Sequence, residues 1–311
     1  MTDQTYTKGR RTVNRRLVLR APAKVNLHLE VLRRRHDGFH DVETVLQAVR
    51  LFDRVTVDLD EQRPGGPADI SLSVSGVPGV PADDTNLCWQ AAVHFCRKVG
   101  VSGTLRIHLE KEIPEAAGLG GGSSDAAAVL VACDRLFDTR LDQERLESLA
   151  GDLGSDVPFF IAGGTALARG RGTRLTRLTP VQSGQFLIIR PHLNLSTSEV
   201  YEDLKMGLTV NSPKANIQVI KSILARFPQK TWPGFNRLED VVLPTHPLVQ
   251  RMVLRLRELA PVAMLSGSGS AVFAVFPDDY DMTPVAGEFE QAGLFVRAVG
   301  PFSTGVQVLD P

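Results

Sequence analysis

The chain has no excess of charge: 35 lysines and arginines are matched by 35 aspartates and glutamates in 311 residues. A neutral chain has no overall electrostatic hold on a polyanion. Nucleic acid is therefore excluded as its main partner, and any anion site must be local. No apolar run reaches the ~18 residues of a membrane span, and no signal-type apolar segment precedes the first strand. The expectation is a cytoplasmic protein with no membrane partner. Cysteine is scarce: Cys88, Cys96 and Cys133 cannot all pair, form no C-x-x-C, and sit in apolar helical contexts, as buried free thiols of a reducing compartment do. No His/Cys/Asp/Glu cluster has metal-ligand spacing, so a protein-held metal is not expected. There is no Gly-Lys pair, which excludes a Walker A loop. There is no dinucleotide fingerprint either, because counting G-x-G-x-x-G from Gly118 puts Ser123 at the last glycine. Internal repeats and low-complexity tracts are absent. With 43% apolar and 23% charged residues the composition is that of a globular protein, and the length suggests about two domains of ~150 residues.

What is present begins with a basic polar stretch, residues 1–16, read as a loosely ordered tail; residues 8–20 hold six Lys/Arg. Leu17 to Leu32 alternates as a strand with a break at Pro22, and Val42 to Leu59 reads as two further strand-like runs. Asp83-Asp84-Thr85-Asn86 caps a helix over Leu87 to Val99. Thr104–Leu109 is a strand, and two helices follow, an alanine-rich one to about Phe137 and Asp142–Leu153. Gly163 to Arg174 is a strand of small residues and arginine. A domain boundary near Thr179-Pro180 separates residues 17–179 from 180–311. The second half opens with a strand at Phe186–Ile189 and has helices over Thr197–Lys205 and Ser212–Phe227. Another helix is capped by Thr245, with Leu248, Met252, Leu256 and Leu259 on one stripe. Strands at Val262–Leu265, Val272–Phe276 and Leu294–Val299 complete an α+β pattern of two layers in each half.

One stretch organises the chemistry: Gly118-Leu119-Gly120-Gly121-Gly122-Ser123-Ser124 running into an alanine-rich helix. Glycines feeding a helix start expose free amides at the positive end of its dipole, which suits a phosphate. A Gly/Ser linker is the alternative, but Ala126 to Cys133 is apolar on every side and so reads as packed helix. Ser266-Gly267-Ser268-Gly269-Ser270 is either a tight hairpin or a second backbone-rich loop on the same cleft. Asp156, in Gly154–Phe160, is either a helix cap or a carboxylate that takes a proton from a hydroxyl. Lys24 and Asn26 share a strand face, which is either solvated or lines a cleft where an ammonium would neutralise phosphate. Phe39-His40 is either a core phenylalanine with a surface histidine, or an aromatic plane and a neutral imidazole for a flat heterocycle.

Taken in order, Pro22–Leu27, Pro114 through Ala128 and Leu265–Ser270 resemble the three motifs of the GHMP small-molecule kinase superfamily. Asp37–His40, Gly154–Phe160 and Asn236–Val242 resemble its branch acting on a cytidylated methylerythritol in the non-mevalonate isoprenoid route. The resemblance spans roughly residues 18 to 299. It implies a two-domain α+β fold with the active site in the interdomain cleft. It also implies ATP as phosphoryl donor, with Mg²⁺ arriving on the nucleotide. The substrate would be a cytidine diphosphate sugar alcohol phosphorylated on its erythritol 2-hydroxyl. By the same resemblance Asp156 is the general base and Lys24 its charge partner, and Pro114 and Gly118–Ser124 hold the ATP phosphates. Asn26 and His40 contact the cytidine end, Phe39 stacks on cytosine, and the segment containing Thr197 supplies Tyr201 for the other face. The chain would be a monomer or weak homodimer. It departs from the family pattern at Glu115-Ala116-Ala117, where small residues and extra glycine are usual. The alternatives are another kinase of the superfamily, of homoserine or mevalonate type, or a non-catalytic nucleotide-binding regulator.

Overall fold

The computed structural model describes residues 11–63, 66–204 and 234–309. Two strands of 24 residues form its spine, β1 (Arg11–Arg34) and β2 (His40–Arg63), paired antiparallel along their length. Asp37 and Gly38 sit in the connecting turn, with Gly38 at φ 84°. β1 begins inside the stretch expected to be a basic tail: Arg11 to Arg16 pair with β2, and Arg16 binds Asp58 at 2.7 Å. Residues 1–10 lie outside the described residues. β2 is one strand, not two runs, because its ladder with β1 continues across the register shift at Pro22.

That shift decides which side of the sheet the chemistry occupies. Leu19 and Ala21 pack with the helices, while Ala23, Val25 and Leu27 pack against the second sheet. Residues two apart on a regular strand share a face, and an irregularity in pairing inverts it. From Pro22 onward the even-numbered residues, Lys24 and Asn26, therefore face the helix side.

β3 (Asp69–Ser75) and β4 (Ser102–Glu110) extend the sheet beyond β2, and the hairpin of β5 (Thr165–Gly170) and β6 (Arg174–Leu178) attaches to β2 as well. The expected Gly163–Arg174 strand is this hairpin, bent at Gly170 and Gly172, both of positive φ. Four helices cover the sheet: α1 (Leu87–Val99), α2 (Gly121–Leu136), α3 (Gln143–Leu153) and α4 (Val157–Ala162). Asn86 accepts from the Cys88 amide at 2.9 Å, and Gly100 closes α1 in the left-handed region at φ 79°. Eleven residues of α2 are buried, so a flexible linker is ruled out. Its alanines let the helix approach β1 and β2 closely, and fully buried Phe159 and Phe160 of α4 fill the space beside it. Each such ring stabilises the fold by about 1.5–3 kcal/mol.

The second sheet runs β11 (Phe295–Val299), β7 (Gln185–Arg190), β10 (Val272–Phe276), β9 (Val262–Leu265), all antiparallel. Phe186, Ile188, Phe273 and Val275 pack from it onto Val25 and Leu27 of β1. α5 (Thr197–Glu202), α6 (Glu239–Thr245), α7 (Pro247–Leu259) and α8 (Thr283–Gln291) complete the described helices. The helix expected over Ser212–Phe227 falls outside the described residues. Thr245 does not cap α7. Its hydroxyl donates to Val241 O at 2.7 Å and so finishes α6, and no side chain caps α7. The helix starts at Pro247, one position later than a Thr245 cap would start it, and its buried stripe is Val249, Met252, Val253 and Leu256, with Leu248 exposed.

The chain does not stay in the second half after Thr179-Pro180. β8 (Phe235–Asn236) joins β1 in parallel, β12 (Gln307–Leu309) pairs with Val18–Arg20, and Phe302 packs in the first core. Among the described residues no helix is long and apolar enough to cross a membrane.

Candidate active site

A cleft of about 690 Å³ lies where four segments meet. They are the middle of β1, the glycine loop into α2, the turn before α4, and the Ser266–Ser270 loop between β9 and β10. The volume is that of a small-molecule site, ~300–1,000 Å³.

Helix α2 begins at Gly121, after Gly120 in the left-handed region at φ 73°. The Ser124 amide is bonded back to Gly120 O at 2.9 Å. The amides of Gly121, Gly122 and Ser123 come before it in the first turn, where no intrahelical acceptor exists. All three residues line the cleft. Free amides at the positive end of a buried helix are suited to phosphate oxygens. Pro114, Glu115, Gly118, Leu119 and Gly120 also line it, whereas Ser124 is fully buried behind the loop with its hydroxyl unpartnered among the described residues.

Not every glycine here serves a ligand. A β-carbon on Gly118 would run into the Ser266 carbonyl, and one on Gly120 would press on Phe160 at 2.8 Å. A β-carbon on Gly122 would meet only Leu87, at 3.9 Å. The two glycine loops are bonded together: Ser266 Oγ donates to Gly118 O at 2.9 Å and the Ala271 amide to Ala117 O at 3.2 Å. The second loop is a hairpin, joining the paired strands β9 and β10, and through these bonds it is also the other wall of the cleft.

Lys24 lies beneath both loops. Its amide donates to Leu119 O at 2.9 Å, and its ammonium to Asn26 Oδ1 at 2.8 Å. Asn26 is fixed in turn by donating to Thr44 Oγ1 at 2.8 Å, and that hydroxyl donates to His28 O at 2.6 Å. Lys24 is buried just behind the cleft lining, and its Nζ stands 3.5 Å from Asp156 Oδ2. Asp156 occupies the N-cap position of α4 without capping it. Capping needs extended backbone, but Asp156 is already helical at φ −86°, ψ −18°. Pro158 moreover has no N–H to offer. The carboxylate is left to face the cleft, where it is part of the lining.

The other end of the cleft is aromatic. Phe39 is 47% exposed although it lines the cavity. His40 and Tyr201 pair with ring centroids 5.1 Å apart. Burial, then the charge of Arg34, lowers the His40 pKa, so its imidazole is neutral near pH 7 and can both donate and accept. Burial, with Asp156 adding to it, pushes the Tyr201 phenol up, so it stays a hydrogen-bond donor. Thr197 Oγ1 lies 2.8 Å from Ser268 Oγ and ties α5 to the second loop.

Several residues that build this site carry no local signal of their role. Asn236 donates to Leu265 O at 2.9 Å and to Gly267 O at 2.8 Å, and so shapes the second loop. Arg237 grips Glu30 with two hydrogen bonds, and Glu239 accepts from the Leu265 amide at 2.9 Å. Their run, Asn236 to Val242, was visible only as part of the resemblance. Beneath the glycine loop, buried Lys111 bonds Asp53 at 2.5 Å and Asp125 of α2 at 2.8 Å.

Residues 86–164 match the family model of the GHMP kinases N terminal domain. The chain is 40% identical over 274 residues to 4-diphosphocytidyl-2-C-methyl-D-erythritol kinase of Pelotomaculum thermopropionicum, spanning 87% of this chain and 93% of that one. It is 35% identical over 291 residues to the enzyme of that name from Geobacter sulfurreducens, 92% and 99% of the two chains. A crystal structure of 4-(cytidine 5'-diphospho)-2C-methyl-D-erythritol kinase superimposes with TM-score 0.74 at 35% identity, over 91% of this chain and 99% of that one. A homoserine kinase from Cytophaga hutchinsonii shares the fold at TM-score 0.68 and 19% identity, over 99% and 100% of the two chains. The chain is therefore a small-molecule kinase and belongs to the 4-diphosphocytidyl-2-C-methyl-D-erythritol kinase family of the GHMP kinases.

Proposed function

We propose that this chain transfers the terminal phosphoryl group of ATP to the 2-hydroxyl of 4-diphosphocytidyl-2-C-methyl-D-erythritol, as a step of isoprenoid precursor synthesis. Asp156 would be the general base and Lys24 its charge partner. The observation that carries the reading is the Lys24–Asp156 pair, 3.5 Å apart, in the same cleft as the free amides of Gly121, Gly122 and Ser123.

Those amides fit a triphosphate because they are donors without intrahelical partners at a helix start. Bound ATP supplies the phosphoryl group, with Mg²⁺ carried on it to spread the charge. The remaining work falls to the chain. Asp156 Oδ accepts the proton of the attacking hydroxyl. Lys24, held by Asn26, offsets negative charge at that point without moving, which is where fixed electrostatics act best. Phe39, His40 and Tyr201 offer a plane, a neutral imidazole and a phenol for a pyrimidine base, and these support the cytidine end of the assignment. Thr197 and Asn26 line the space between.

The test measures ADP release from ATP with and without the cytidylated methylerythritol, with homoserine and mevalonate as comparison acceptors. Release that depends on the cytidylated alcohol supports the reading. Release that depends on homoserine or mevalonate instead, or on no acceptor at all, overturns it.

A further inference from the structure

The cations of the cleft are nearly all committed. Lys24 faces Asp156, and Lys111 is bonded to Asp53 and Asp125. The lining also carries the carboxylates of Glu115, Asp156 and Glu202. Two phosphate-bearing ligands brought into such a space need positive charge that is not already spent.

Arg171 is the exception: among the described residues no carboxylate is hydrogen-bonded or ion-paired to it, and Asp37 acts on it only through longer-range charge. It stands on the turn between β5 and β6, flanked by Gly170 at φ 70° and Gly172 at φ 102°. The turn abuts the segment of the base, since a β-carbon on Gly172 would lie 3.5 Å from that of Ser155. The guanidinium carbon is 3.9 Å from the centroid of the Phe39 ring. Its Nε is buried, and no hydrogen-bond partner for it occurs among the described residues. Stacking on an aromatic face holds a guanidinium in place while leaving its N–H edge free.

The surroundings favour an anion at this end. Arg171 also lines an adjoining hollow of about 410 Å³ with Arg33, Arg35 and Arg174. Asp41 pairs with Arg33 and Arg35, and Asp37 pairs with Arg35, so four arginines are set against two carboxylates. The Phe39 end of the cleft is its basic end.

We propose that Arg171 receives the diphosphate of the cytidylated substrate, with its stack on Phe39 placing the guanidinium beside the base-binding plane. The inference rests on the substrate reading above and adds the group that recognises the pyrophosphate link. A guanidinium fork suits two phosphate oxygens, and each charge-assisted bond is worth about 10- to 100-fold in affinity.

Calorimetry with two probes, CDP and cytidine, tests it on the wild-type chain and on Arg171→Gln and Arg171→Lys. The expected result is that Arg171→Gln weakens CDP by about 10- to 100-fold and cytidine by less than about twofold, with Arg171→Lys between the two. If CDP and cytidine weaken by the same factor, Arg171 only props Phe39 and the proposal fails. If wild type binds both probes and neither variant changes CDP, the proposal fails while the substrate reading stands. A wild-type chain that binds neither probe overturns the substrate reading and this inference with it.

Discussion

The Lys24 ammonium stands 3.5 Å from Asp156 Oδ2 while Asn26 Oδ1, at 2.8 Å, holds it from the other side. The lysine is therefore positioned by the strand and not by the aspartate. Replacing the aspartate leaves the lysine where it is. Asp156→Asn keeps the shape and, because Asp156 caps nothing, keeps the fold. It removes the proposed proton acceptor, so kcat for ADP release is expected to fall by about 10²–10⁴-fold while the urea midpoint stays within error. Wild-type turnover in this variant would falsify the base assignment.

The glycines of the loop divide by what a methyl group would strike. At Gly118 it strikes the Ser266 carbonyl and pushes the two loops apart; at Gly122 it enters open space toward Leu87. Gly118→Ala is expected to lower stability and activity together. The left-handed φ of 72° adds about 1 kcal/mol to the clash. Gly122→Ala is expected to hold or raise stability by up to about 1 kcal/mol through helix propensity. Its KM for ATP should rise, because the methyl group stands beside amides that line the cleft. Urea unfolding and ATP titration of the two variants separate the roles; equal stability losses at both positions would contradict the division.

The contrast marks what the sequence could say. The run from Gly118 to Ser124 announced a phosphate loop, because glycines before a helix expose amides whatever surrounds them. It could not say that Gly118 and Gly120 serve packing, since Ser266 and Phe160 are distant in the chain. Period-two reading put Lys24 and Asn26 on one face, but which side that face took depended on the pairing shift at Pro22. From the sequence Asp156 could be a helix cap or a base, and only its backbone angles exclude the side-chain cap. Asn236, Thr44 and Arg171 act through partners that no local pattern encodes. The terminal return of β12 to β1 was hidden for the same reason: three residues carry too little periodicity to name their sheet.

Ala116 lies at φ 48°, in the left-handed region, where an L side chain pays about 1–2 kcal/mol. The strain sits in the loop segment that departs from the family pattern, beside Pro114 and Glu115. Ala116→Gly is expected to remove it and, after the added backbone entropy of glycine, to stabilise the chain by about 0.5–1 kcal/mol. The measurement is a higher urea midpoint at unchanged m-value. A lower midpoint would mean that the Ala116 methyl makes contacts worth more than the strain.

The buried triad under the loop gives a prediction with a definite sign. Asp53 accepts the Glu112 amide at 2.6 Å, the Ile113 amide at 2.8 Å and Lys111 Nζ at 2.5 Å. Asp125 has Lys111 at 2.8 Å on one oxygen, and its other oxygen is buried with no partner among the described residues. One ammonium cannot balance two buried carboxylates, so the proton settles on the poorer-served Asp125. Burial drives its pKa well above the carboxylate range; Lys111 opposes this and the charge of Asp53 adds to it. Folded Asp125 then holds a proton that the unfolded side chain has released above pH ~4. Stability is fullest below that point and declines as pH rises toward the raised folded value. Asp125→Asn replaces the protonated acid with a neutral amide of the same shape. It should flatten this part of the stability–pH profile and leave the variant at least as stable as wild type at pH 8. Lys111→Met is the converse case: it leaves the buried Asp53 carboxylate without its cation and is expected to cost about 3–5 kcal/mol. Urea unfolding at pH 5 and pH 8 distinguishes the two variants. A slope unchanged by Asp125→Asn would place the proton elsewhere in the triad.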